Sequence, residues 1–425
     1  MMNNKKQGRH CEERSDEAIH TSLFDTSRLT KDSVAILNSF DEIIQGVRPL
    51  NSRQLQQLPE HIRNLSHQLT DDRASRRLGY MNDNVQLSSY VRYYTWWNLV
   101  RLTRLFANLP DSVFPTSNTT CLDLGSGPLT VVTALWLARP ELRKLRLTWY
   151  CLDVSANSMA LGEDIYLSVA AKAKAADPAI EPWKIIRVKG PFGTPIREKA
   201  GFLTCANMFN ELDQASDMPP EFQTKKYYEQ LQRYCAEGAG VILVEPGVPK
   251  AARTLSLLRT RYIKDGRTIA APCPHDGDCP MSGFKAYTGS KNKWCNFAFS
   301  TEDAPARLQK LSVAAKLPKE RATLSFMAID ARVKPEHDTK VQHDKDAAAT
   351  NIRITSDKLR LPNYMCGYYG CSQHGLVLVT LPDENNTRLP KPPFRPQSGD
   401  LIQVKTKTPD SLPKDEKSGA LIVKL

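Results

Sequence analysis

The chain has 425 residues, 58 Lys and Arg against 46 Asp and Glu, a net charge of +12 and an isoelectric point near 9.1. That length exceeds one ordinary domain, no apolar run approaches the roughly 18 residues needed to cross a bilayer, and the positive excess suits a polyanionic partner, with RNA the leading candidate. The polar start M-M-N-N-K-K-Q-G-R-H lacks the apolar stretch of a secretory signal, which points to a cytoplasmic protein with no membrane association, and the ten cysteines then indicate metal binding or burial rather than disulfides.

Residues 1–30 are charge-mixed and without period, as expected of a disordered tail. Residues 31–115 form a helical lead-in, with Val34, Ile36, Leu37 and Phe40, then Leu55, Leu58, Ile62 and Leu65, recurring at helical spacing. Its last member, Tyr90 to Phe106, interleaves aromatics with Arg92, Arg101 and Arg104. This could be a nucleic-acid stacking surface, but the safer reading is an amphipathic helix packed on the next domain.

Between residues 116 and 270 strands alternate with helices. The strands are Cys121–Leu124, Leu145–Asp153, Ile185–Val188, Gly201–Ala206 and Gly240–Glu245, and the helices lie near Leu129–Leu137, Ser158–Lys174 and Pro220–Cys235. That alternation predicts βαβ units and a mainly parallel sheet covered on both faces. Cys121, Cys151, Cys205 and Cys235 fall in or beside these apolar segments and read as small buried hydrophobes. Residues 271–382 turn to Pro, Gly, Cys and short strands, a separate cysteine-rich module in which Arg307 to Arg321 reads as a solvated charged face. Residues 383–425 are a Pro- and Lys-rich tail with strands at Leu401–Val404 and Ala420–Val423, preceded by a linker-like Leu389 to Pro396. Arg9–His20 and Asp330–Val341 resemble translated dispersed repeats of some bacterial proteins; the second is read as an insertion over about 330–346.

L-D-L-G-S-G-P places Asp123, Gly125 and Gly127 where a strand ends and the chain must turn and admit a ligand to its backbone, with the next helix presenting its first amides. The second strand ends at Asp153, where a carboxylate accepts hydrogen bonds from ribose hydroxyls. NAD and S-adenosylmethionine both satisfy this geometry. The D-x-G-x-G order resembles the first motif of class I methyltransferases, although Leu129 stands where a third glycine belongs. Asn207, Asn210 and Glu211, in N-M-F-N-E-L at the end of the fourth strand, are the candidates to face a transferring methyl group. No general base is identifiable.

Cys273, Cys279 and Cys295 are separated by five and then fifteen residues, wider than the pairs of structural zinc sites. Such spacing favours a cluster assembled from loops and leaves zinc open. Cys366 or Cys371 could be the fourth ligand, with His275 or His374 as nitrogen alternatives.

Taken in order, L-D-L-G-S-G-P, N-E-L, V-E-P-G-V-P, C-P-H-x-x-x-C-P, W-C-x-F and C-x-x-x-G resemble the methyltransferase-like assembly factors of the small ribosomal subunit, over roughly Tyr80 to Val379. The resemblance implies an α/β fold: a class I methyltransferase Rossmann-like parallel sheet with an N-terminal helical region and a C-terminal cysteine-rich β module. It implies an S-adenosylmethionine site at Asp123, Gly125, Gly127 and Asp153. It also implies a [4Fe-4S] cluster on Cys273, Cys279, Cys295 and Cys371, with Cys366 a neighbour. The expected protein binds rRNA of the small ribosomal subunit, is a monomer when free, and has lost catalysis or is an active rRNA methyltransferase.

Overall fold

The computed structural model describes residues 20–70, 80–174, 179–212, 218–284, 293–333, 349–385, 394–405 and 411–425. The apolar runs become strands of a first sheet: β2 (Thr120–Leu124), β3 (Thr148–Asp153), β4 (Lys184–Lys189), β5 (Ala200–Ala206), β6 (Cys235–Glu245), β7 (Arg267–Ala271), β8 (Phe297–Ser300) and β9 (Arg321–Val333), following a two-residue β1 (His20–Thr21) that belongs elsewhere. Their order is β4-β3-β2-β5-β6-β9-β7, with β8 beside β9. The first five run parallel, whereas β9 lies antiparallel to both β6 and β7. Five parallel strands followed by an antiparallel strand wedged in before the sixth is the class I methyltransferase arrangement.

Helices cover both faces, as parallel strands buried on two sides require. On one face α6 (Thr130–Ala138) and α7 (Ala156–Lys174) share a core with the lead-in helices α1 (Lys31–Asn38), α2 (Phe40–Val47), α3 (Ser52–Thr70), α4 (Asn84–Tyr90) and α5 (Trp96–Asn108). On the other, α8 (Pro220–Tyr234) and α9 (Pro249–Lys264) pack Tyr227, Leu231, Leu258 and Tyr262 against the strands. Cys121, Cys151, Cys205 and Cys235 are buried, as their apolar surroundings suggested.

The aromatic helix packs inward. Trp96 Nε1 donates to Leu37 O at 2.8 Å and Trp97 Nε1 to Ser312 Oγ at 3.0 Å, on α10 (Ala306–Ala314). Its arginines are engaged within the chain: Arg92 donates to Gln45 and the Arg48 carbonyl, and Arg104 to the Ser300 carbonyl and Asp303. The stacking-surface alternative is therefore set aside.

Three expected boundaries move. Because β7 and β9 complete the first sheet, that body reaches residue 333 rather than 270, and the cysteine stretch 272–296 is an excursion between its last strands. The change to Pro and Cys texture marks a loop rather than a domain end. The second sheet runs β1-β14-β10-β12-β13-β15, built from β10 (Ala349–Ile354), β11 (Leu359–Leu361, paired with β12), β12 (Met365–Ser372), β13 (Gly375–Pro382), β14 (Leu401–Lys405) and β15 (Leu421–Lys424). Segments expected to be tails are thus integral: β1 pairs with β14, β15 pairs with β13, and buried Phe24 lies against Phe299 with centroids 4.8 Å apart. Of the two repeat-like segments, most of Arg9–His20 and of 330–346 lies outside the described residues.

Leu129 resolves the missing glycine. It takes the left-handed conformation (φ 52°, ψ 35°) as the N-cap of α6 while its side chain is fully buried. A leucine in that conformation costs about 1–2 kcal/mol, whereas truncating a buried leucine costs about 2–5 kcal/mol, so burial wins. Leu129→Gly should destabilise the chain by about 1–3 kcal/mol, read as a lower urea midpoint at unchanged slope. An increase in midpoint would contradict this balance.

Candidate functional site

A cavity of about 180 Å³ opens at the C-terminal ends of β2, β3 and β5. The turn after β2 builds its floor, with Gly125 at φ 64° and Gly127 at φ 48°. A Cβ on Gly125 would stand 3.0 Å from Met208 Cβ, so the opposite wall also excludes a side chain there. Gly125 and Ser126 donate to the Leu152 carbonyl at 2.9 and 3.1 Å. Asp153 ties the loop down, accepting from Gly127 N–H at 2.9 Å and from Ser155 N–H at 2.8 Å. From behind, Gly162 of α7 comes so close that an added Cβ would lie 2.3 Å from the Pro128 carbonyl carbon.

Asp123 does not line this cavity. It is fully buried beneath the loop, where Oδ1 accepts from Thr204 Oγ1 at 2.7 Å and Oδ2 has no partner. Its expected contact with a cofactor is replaced by a supporting position, because the acidic residue lies two positions before the turn and points into the sheet. Gly125, Gly127, Asp153, Asn207 and Glu211 do line the cavity. Asn210 does not; its N–H donates to Glu245 Oε2 at 2.9 Å, beside Phe209 N–H to Oε1 at 2.9 Å. Glu245, fully buried at the end of β6, therefore shapes the Asn-rich loop.

The opposite wall comes from the lead-in: Met81, Tyr90, Asn98 and Leu102. Sequence reasoning missed these because nothing local links a helix before residue 110 to a loop after residue 124. Arg101 donates to Asn207 Oδ1 at 3.1 Å and to the Thr323 carbonyl at 3.0 Å, holding Asn207 in its left-handed conformation (φ 61°). Burial lowers the Arg101 guanidinium to about 10. Burial likewise pushes the Asp123 carboxyl up to about 7 and Glu245 up to about 8, raises Asp153, and raises the Tyr90 phenol, with Glu211 and Asp153 adding repulsion in the last case.

A second, smaller cavity of about 30 Å³ lies between α9 and β9, lined by Cys273, Cys279 and Cys295. Cys371 of β12 stands within electrostatic reach of all three. Burial first, then mutual repulsion, holds the Cys295 and Cys371 thiols up. Arg259 donates to Cys273 Sγ at 3.1 Å, and buried Arg353 donates to the Pro272 carbonyl at 2.9 Å. His275 Nε2 lies 3.0 Å from Cys371 Sγ, while His374 contacts Gln373. Cys366 is five positions before Cys371 on one strand, hence on the other face, and packs in the second sheet's interior near the Pro382 carbonyl. A single zinc ion would need thiolates drawn up at about 2.3 Å. Among the described residues, no group of three or more His, Cys, Asp or Glu side chains is placed to hold a metal ion.

The family model described as mitochondrial small ribosomal subunit Rsm22 matches residues 89–355, more than half of the chain. The chain belongs to this family. The match covers the lining of both cavities apart from Met81, together with β9, and ends before Cys366 and Cys371. No curated protein matches the chain. Among solved structures, YjhP from E. coli is 13% identical, with TM-score 0.31, covering 55% of this chain and 92% of that one. A SAM-dependent methyltransferase from Geobacter sulfurreducens in complex with S-adenosyl-L-homocysteine is 14% identical, with TM-score 0.30, covering 55% and 90%. A SAM-dependent methyltransferase from Thiobacillus denitrificans, also in complex with S-adenosyl-L-homocysteine, is 12% identical, with TM-score 0.29, covering 55% and 91%. The fold assignment rests on strand order. No helix among the described residues is long and apolar enough to cross a membrane.

The raised carboxyls set a pH dependence. A group that holds its proton more tightly when folded contributes most below the unfolded carboxylate range, and the contribution declines as pH rises, through about 7 for Asp123 and about 8 for Glu245. Asp123→Asn should therefore flatten the fall in thermal stability between pH 5 and pH 8. A variant with the wild-type slope would show that Asp123 does not titrate there.

Proposed function

We propose that this chain is an assembly factor of the small ribosomal subunit whose methyltransferase body binds S-adenosylmethionine and rRNA, and whose cysteine stretch holds a [4Fe-4S] cluster. The family match is the observation that carries this reading. The cavity supports it. Gly125 and Gly127 leave their backbone open to a ligand, Asp153 has acceptor capacity for ribose hydroxyls, and the uncapped first turn of α6 favours an anionic end group. Bound there, S-adenosylmethionine offers an electrophilic methyl group. Asn207 and Glu211 stand at the cavity wall as orienting groups, and the raised Tyr90 phenol stays protonated at neutral pH.

Cysteine thiolates are the donors that an iron–sulfur cluster takes. Cys273, Cys279 and Cys295 face one cavity, Cys371 closes on them from the second sheet, and Arg259 and Arg353 offset the negative charge of a thiolate-held centre. Bound, the cluster would cross-link the cysteine stretch to the second sheet. Zinc is the alternative. A free monomer in the cytoplasm completes the reading, the mitochondrial description being that of the family.

The rival reading, an active rRNA methyltransferase, draws on the cavity's open wall at Asn207 and Glu211. Labelled methyl transfer to undermodified small-subunit rRNA, lost in Asp153→Ala, would favour it.

Anaerobic purification followed by iron and acid-labile sulfide analysis should give about four of each per chain, as a [4Fe-4S] centre requires. Zinc at one per chain would overturn the cluster. Titrating the same sample with S-adenosylmethionine should give saturable binding, weakened at least tenfold by Gly162→Ala, whose Cβ must displace the Pro128 backbone. Cys279→Ser should lower both iron content and solubility; unchanged iron would remove Cys279 from the ligand set.

A further inference from the structure

The N-terminal turns of α8 and α9 lie on the same edge of the first sheet as the cofactor cavity, because each helix runs antiparallel to strands whose C-terminal ends form that cavity. α9 begins four residues after Glu245, which organises the cavity's Asn-rich loop. Beside these turns the chain exposes two aromatic rings. Phe222, in the first turn of α8, is 64% exposed, and Phe284, reached from the cysteine excursion, is 38% exposed. The Arg253 guanidinium lies over the Phe284 ring at 3.3 Å and bridges to Glu221 at 3.0 Å, linking the two turns. Lys225, Lys226 and Lys250 are exposed on the same two helices; Lys225 pairs with Glu229 at 3.8 Å and Arg253 with Glu221 at 3.0 Å, so Lys226 and Lys250 carry the local excess of positive charge.

A group of exposed apolar rings, unlike a single scattered one, marks an interaction surface. Rings set among uncompensated cations fit a ligand with flat apolar faces and a polyanionic backbone, which is single-stranded nucleic acid.

We propose that Phe222, Phe284 and Arg253 form a stacking platform for an unpaired segment of RNA, presented beside the cofactor cavity and steadied by Lys226 and Lys250. The proposal rests on the rRNA-binding reading above. Bases stack on the rings, and the lysines meet phosphates. An acidic peptide is the competing occupant, and it would use the cations without needing the rings.

The test uses the full chain, purified anaerobically. Binding of a labelled single-stranded small-subunit rRNA oligonucleotide of about a dozen residues is measured by fluorescence anisotropy over a salt series, with polyglutamate as a parallel probe. Phe222→Ala/Phe284→Ala should weaken RNA binding on the order of tenfold at unchanged salt slope, since stacking releases no counterions. Lys226→Gln/Lys250→Gln should reduce that slope by about 2. Thermal melts control for folding, and Phe222→Trp, which enlarges an exposed ring, should retain or strengthen binding. RNA affinity unchanged in the double alanine variant overturns the platform while leaving rRNA binding elsewhere on the chain intact. Polyglutamate binding that exceeds RNA binding assigns the surface to a protein partner and also overturns it. Wild-type protein that fails to bind the oligonucleotide, while Phe222 and Phe284 variants behave identically, removes the rRNA reading itself.

Discussion

The wedging of β9 between β6 and β7 is the constraint on which both cavities depend. Residues 325–329 pair antiparallel with β6, positions between 328 and 333 with β7, and residues 321–324 with β8. Toward the cofactor cavity, the Thr323 carbonyl accepts from Arg101, which in turn holds Asn207. Toward the cysteines, Ser325 Oγ donates to the Cys295 carbonyl at 2.7 Å, and Phe326 and Met327 line the smaller cavity. One strand therefore sets the distance between a methyltransferase-type pocket and a thiol cluster.

Much of the first sheet was legible from sequence because its strands are apolar on both faces and punctuated by glycine. The turn L-D-L-G-S-G-P and the acidic end of β3 located the cavity floor. Its far wall was not legible, since Tyr90, Asn98 and Leu102 reach it only through the packing of α4 and α5 on the sheet. Asp123 was misplaced for a related reason: motif order fixes position along the chain but not which way a side chain faces, and here it faces Thr204. Spacing alone left Cys366 and Cys371 open while the family resemblance pointed to Cys371, and strand alternation puts the two on opposite faces. The boundary at residue 270 failed because composition follows local texture, whereas sheet membership depends on β9, fifty residues downstream.

Leu129 bears on whether the pocket is spent. A large residue in place of the third glycine suggests decay when only the motif is read. In the fold it adopts the glycine-like backbone conformation and turns its side chain into the core, away from the ligand. The loop's shape is therefore retained without the glycine. The cavity presents the side-chain amides of Asn98 and Asn207 and the carboxyls of Asp153 and Glu211, with burial holding Asp153 above its ordinary range; under the proposed reading these groups face S-adenosylmethionine.

Under the proposed function this methyltransferase fold acts on the immature small ribosomal subunit. Gradient sedimentation of the anaerobically purified chain with immature small subunits at moderate salt tests it most directly. The account predicts co-migration with the particle; a chain that stays at the top of the gradient with its metal centre intact would contradict it.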